Sequence, residues 1–78
     1  MAVLRLFAQA RDAAGTNRVE LPGTNVASVL AEAESRFGAE FTEILGLSKV
    51  WLNGDACDPS APCSATDEIA VLPPVSGG

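Results

Sequence analysis

Apolar and polar positions alternate from the start of the chain. Leu4, Leu6 and Ala8 fall on one side of an extended segment, and Val3, Arg5 and Phe7 on the other. That period of two predicts a strand over residues 3–8. Gly15-Thr16-Asn17 interrupts it, and Arg18 to Leu21 resumes as a second short strand, so the two are expected to form a hairpin. Beyond Pro22-Gly23 the period changes. Val26, Val29, Leu30, Ala33 and Phe37 recur at helical spacing while Glu32, Glu34, Ser35 and Arg36 lie off the stripe. Thr24 or Asn25 is placed to cap this helix, and Gly38 to stop it in a left-handed conformation. Phe41, Ile44 and Leu45 predict a short helical turn ended by Gly46. Lys49 to Asn53 returns to alternation, with Val50 and Leu52 on one face and Trp51 on the other. Asn53-Gly54 is the strongest tight-turn signal in the chain. Ala56 to Pro62 reads as a proline-punctuated return, Glu68 to Leu72 as a last strand, and Pro73-Pro74 as its stop.

The order is strand, strand, helix, short helix, strand, turn, strand. Two hairpins flanking a crossover helix on one face of a mixed sheet define an α+β fold, the β-grasp or ubiquitin-like roll. The expected division is a body over residues 1–72 and an extended tail over residues 73–78. At 78 residues and 47% hydrophobic, the chain supports one small core and leaves little room for a deep pocket. In this layout Leu4, Leu6, Val50, Leu52, Ile69 and Val71 face the helix. Phe7, Trp51 and Leu72 then gather on the open face, on three strands expected to be neighbours, as one apolar patch at the base of the tail. Exposed aromatics grouped in this way are expected to mark an interface for partner proteins, the alternative being that Trp51 or Phe7 folds over a sheet edge or completes the core.

A formal net charge of −5 argues against nucleic acid, whose phosphates require a basic face, and against attraction to anionic membranes. No apolar run approaches the ~20 residues of a membrane span, and the first residues enter a strand pattern with no signal-peptide layout, so a cytoplasmic setting is expected. Cys57 and Cys63 match neither a CxxC redox motif nor half of a zinc site, and the chain contains no histidine. Both are expected as free, small apolar side chains. Asp67-Glu68 is the one close acidic pair, and it is expected to serve a turn before the last strand. No side chain offers a catalytic centre.

Chemistry is left to the tail, Pro73-Pro74-Val75-Ser76-Gly77-Gly78. Extended, six residues reach roughly 20 Å at ~3.3–3.6 Å each. The prolines stiffen its start, and the glycines can thread a narrow channel in backbone conformations closed to other residues. Such a tether can deliver the Gly78 carboxylate into another protein's active site.

Three stretches carry a resemblance to a known family. They are Phe7-Ala8-Gln9-Ala10-Arg11 with Gly15-Thr16, Val50 to Asn53 with its turn, and Asp67 through Pro73-Pro74-Val75-Ser76-Gly77-Gly78. The chain resembles the MoaD family, the sulfur-carrying small subunit of molybdopterin synthase, within the ThiS/MoaD-type ubiquitin-like proteins. The resemblance implies that an E1-like enzyme of the MoeB type, using ATP and magnesium, adenylates the Gly78 carboxylate. A sulfur donor then converts the acyl-adenylate to a thiocarboxylate. It implies that residues 73–77 thread the tail into a large MoaE-type subunit in a heterotetramer, where sulfur passes to cyclic pyranopterin monophosphate. On this reading the chain binds no cofactor and is no enzyme alone, because the catalytic side chains belong to the large subunit. Arg11 stands where the family often has a basic residue, suited to pairing with a partner's acid or simply to solvent. Ser64-Ala65-Thr66 departs from the family's frequent glycine before the last strand, and Trp51 and Cys63 replace more usual aliphatic residues. The alternatives are a sulfur carrier for thiazole or cysteine synthesis, a ubiquitin-like protein modifier, and a plain interaction domain.

Overall fold

The alternation at the N-terminus does build a strand, β1 (Ala2–Leu6), with Ala2, Leu4 and Leu6 buried and Val3 and Arg5 half-exposed. This computed structural model describes residues 1–74. After β1 come α1 (Ala8–Ala14), β2 (Arg18–Leu21), α2 (Val26–Phe37), α3 (Ala39–Leu47), β3 (Lys49–Leu52), β4 (Asp55–Ala56) and β5 (Glu68–Leu72). The five strands among these residues form one mixed sheet in the order β2-β1-β5-β3-β4. β1 runs antiparallel to β2 and parallel to β5, and β3 runs antiparallel to both β5 and β4. The β-grasp expectation holds.

Three local expectations need correction. Residues 8–14 form the helix α1 between the two strands of the first hairpin, so Ala8 leaves the strand and Arg11 is helical. The chain turns abruptly at Ala8, whose φ of 49° lies in the left-handed region. The expected short helical turn is a full nine-residue helix, α3, which runs through Gly46 to Leu47. A helical glycine costs only about 1 kcal/mol relative to alanine, and Phe41 at the centre of the core holds the helix in place. Gly38 joins α2 to α3 at φ 93° and ψ −169°, a glycine-favouring conformation other than the expected left-handed helical one.

The start of α2 shows how the sequence anchors its main helix. The Asn25 side chain accepts from the Ser28 backbone N–H at 2.8 Å, and the Ser28 hydroxyl lies 3.2 Å from the Asn25 N–H, completing a reciprocal capping box. Two further orphan donors of the first turn are satisfied from the long return after β4: Val26 N–H donates to the Ala61 carbonyl at 2.9 Å and Ala27 N–H to that of Pro59 at 2.8 Å. The proline-punctuated loop therefore clamps the helix N-terminus. The remainder of α2 turns Val26, Val29 and Ala33 onto Leu4, Leu6, Ile69 and Val71 of the sheet. Val50 and Leu52 join that core half-buried. Among the described residues no helix is long and apolar enough to cross a membrane.

Candidate functional site

The face of the sheet opposite α2 is built by register. Arg5 pairs with Ala70, Ala70 with Trp51, and Leu72 with Lys49. Residues directly opposite one another in a sheet point to the same side, so these side chains share the open face. Phe7 follows β1, and the turn at Ala8 leaves its ring 40% exposed beside Trp51 at 39%. The Arg5 guanidinium lies 5.9 Å from the centre of the Phe7 ring and 3.5 Å from the Glu68 carboxylate.

Phe7, Trp51, Leu72 and Pro73 line one open depression of about 600 Å³, joined by Leu47 from the end of α3. Among the described residues its wall is apolar apart from Lys49. The expected grouping of Phe7, Trp51 and Leu72 at the root of the tail is thus present. Leu47, 71% exposed, is a member that the sequence pattern did not supply. It follows Gly46, where the helix was expected to have ended. Its signal was that it falls off the α3 stripe formed by Phe41, Ile44 and Leu45. Pro73, half-buried, and Pro74, exposed, both line this depression. Val75, Ser76, Gly77 and Gly78, the expected threading segment and reactive terminus, lie outside the described residues.

Arg11 is not brought to the patch. It lies on α1, exposed, 3.8 Å from the Asp12 carboxylate, and lines a separate polar depression with Gly15, Thr16 and Asn17.

Of the acidic pair, Asp67 serves the turn before β5, as expected, and Glu68 is the first residue of the strand. Asp67 accepts from the Asn53 amide at 3.1 Å and from the Ser64 N–H at 2.8 Å, and these bonds hold its carboxyl below the usual aspartate range. Asn53 also accepts from the Glu68 N–H at 2.9 Å, so one asparagine ties the β3–β4 turn to the start of β5. Asn53 and Gly54 both have positive φ, 51° and 86°, as the tight turn requires. Ser64 through Asp67 close without glycine: the Asp67 N–H donates to the Ser64 carbonyl at 3.0 Å, and the Asp67 carboxylate accepts from the Ser64 N–H in return.

Both cysteines are free and half-buried against the core. Burial first, then the neighbouring Asp58 and Asp67 carboxylates, push the Cys57 and Cys63 thiols up. Each therefore stays protonated at neutral pH, a poor nucleophile.

A mixed five-stranded sheet with its main helix packed on one face is the β-grasp, ubiquitin-like fold, and here its open face carries an apolar depression that reaches Pro73 and Pro74. The chain matches the ThiS family over residues 4–78, and it belongs to that family. A sequence search of curated proteins finds no match. Among solved structures it is similar to small archaeal modifier protein 1 of Methanosarcina acetivorans, with 30% identity over 99% of this chain and 95% of that one, at a TM-score of 0.86. A Pyrococcus furiosus chain provisionally assigned as subunit 1 of a molybdopterin converting factor shares 26% identity over 95% of this chain and 97% of its own, at a TM-score of 0.76. The fold is also that of a chain in the complex of subunits 1 and 2 of the molybdopterin-converting factor from Helicobacter pylori 26695. There the identity is 23%, over 99% of this chain and 97% of that one, with a TM-score of 0.71.

Proposed function

We propose that this chain is a sulfur carrier and the small subunit of a molybdopterin synthase. The Gly78 carboxylate is a poor electrophile until it attacks the α-phosphate of ATP, expelling pyrophosphate. The acyl-adenylate then has AMP as a leaving group, which a sulfur donor displaces to give a thiocarboxylate. The thiocarboxylate is the nucleophile that carries sulfur to cyclic pyranopterin monophosphate within the large subunit. This chain contributes the tether, residues 73–78, and the dock. The E1-like adenylating enzyme supplies ATP and magnesium chemistry, and the large subunit supplies the catalytic side chains. A cytoplasmic setting belongs to the same reading.

The observation that carries the proposal is the apolar depression of Phe7, Leu47, Trp51, Leu72 and Pro73 at the point where the tail begins. A partner seated there receives the terminus within roughly 20 Å of its own surface. The family match running to the last residue, and the two converting-factor relatives, support the sulfur-carrier role and its acceptor.

A second reading, a protein modifier joined to lysines of other proteins, is favoured by the 30% identity to small archaeal modifier protein 1. The two share adenylation and differ in the acceptor. Purified thiocarboxylated chain is mixed with the large subunit and cyclic pyranopterin monophosphate, and molybdopterin is measured. Stoichiometric formation supports the proposal. No molybdopterin, together with isopeptide adducts on other proteins when the adenylated chain is presented to a cell extract, would establish the modifier reading instead.

A further inference from the structure

The acidity of the chain is not spread evenly. Val3 pairs with Glu20 and Glu68, and Arg5 with Arg18, so the open face of the sheet holds Arg5, Arg18, Lys49, Glu20 and Glu68. Three cations and two carboxylates leave that face at +1. The other two cations and eight carboxylates leave the rest of the protein at −6, for the total of −5. On the open face the arginines are already engaged: Arg5 lies 3.5 Å from Glu68 and over the Phe7 ring, and Arg18 lies 3.8 Å from Glu20. Lys49 is exposed and enters no ion pair among the described residues. Among the described residues it is the one charged side chain lining the apolar depression, and its register partner, Leu72, is the last strand residue before the tail.

We propose that Lys49 is a specificity-determining contact, a cation at the root of the tail that pairs with a carboxylate on the surface of the adenylating enzyme. The inference rests on the carrier reading and names the chemistry of the partner's surface. An apolar patch alone accepts any apolar partner. A single uncompensated charge within it rejects partners that present a cation or no counter-charge, because the ammonium loses water on docking and regains nothing. The same charge steers approach: a partner acid meets the +1 face and is repelled by the −6 remainder, so the tail arrives facing the active site. Lysine suits this position because its apolar stem extends the patch while its ammonium reaches the counter-ion.

The test is ATP–pyrophosphate exchange by the cognate adenylating enzyme, with the full-length chain as varied substrate at several salt concentrations. Lys49→Met keeps the stem and is expected to raise KM for the chain about fivefold to tenfold, the range of one charge-assisted contact, with kcat unchanged and a shallower salt dependence. Lys49→Glu raises KM further, and Lys49→Arg stays close to the native value. All three are expected to keep the native melting temperature, because the side chain is exposed. A KM within about twofold of native for both Lys49→Met and Lys49→Glu overturns the inference while leaving the carrier reading intact. Absence of exchange with the native chain overturns the carrier reading, and this inference with it.

Discussion

Trp51→Ala separates docking from folding. A fully buried tryptophan truncated to alanine costs about 3–5 kcal/mol of stability. Trp51 is 39% exposed on the face away from the core, whereas Phe41 is fully buried. About three-fifths of it is buried, so its share is about 2–3 kcal/mol, which in a domain of this size lowers the melting temperature by roughly 8–24 °C. Docking is a different matter. A central aromatic in an apolar patch typically contributes at least ~2 kcal/mol to association, about thirtyfold in affinity. Calorimetric titration against the adenylating enzyme, beside a thermal melt, reads both quantities. Phe41→Ala serves as the contrast, with about 3–5 kcal/mol lost from stability. If Trp51→Ala destabilises as much as Phe41→Ala while binding is unchanged, Trp51 is a core residue and the docking argument fails.

Two further outcomes follow from the scaffold. Asn25→Ala removes the α2 cap and is expected to lower stability by about 1 kcal/mol, read from denaturant unfolding, without changing the rate of tail adenylation. For Asp67 the folded-state pKa is depressed by hydrogen bonds from Asn53 and Ser64. Its stabilisation is complete above the unfolded value near about 4 and lost as pH falls through the lower folded value. Melting temperatures measured on descent from pH 6 should fall less steeply below that point for Asp67→Asn than for the native chain. Parallel curves would show that the Asp67 bonds contribute nothing.

Elements with a strong period were legible in the sequence. Leu4, Leu6, Ile69 and Val71 had to face one way, and this places Trp51 and Leu72 on the opposite side with no further information. The stripe of α2 was equally plain. α1 was not, for two physical reasons. Among its seven residues only Ala10 is buried, so there is no stripe. Phe7 at its N-cap offers no side-chain acceptor, so there is no start signal either. Phe7 and Ala8 simply extended the β1 alternation, which concealed a turn that depends on one backbone angle at Ala8. Leu47 was missed because the glycine before it resembled a helix end. Tertiary packing of Phe41 overrode that local cue, and with it the patch gained a residue. Lys49 was visible as the only lysine, but its place among the apolar lining residues emerged only from its register with Leu72.

The proposed reactive group is the α-carboxylate of Gly78, and its conversion is read by intact-protein mass spectrometry. The native chain is incubated with its adenylating enzyme, magnesium, ATP and a sulfur donor, then weighed beside a chain lacking Gly78. The native chain is expected to gain the mass of sulfur less that of oxygen, dependent on ATP, and the shortened chain to stay unchanged. An unchanged native mass, or the same gain in the chain without Gly78, would contradict it.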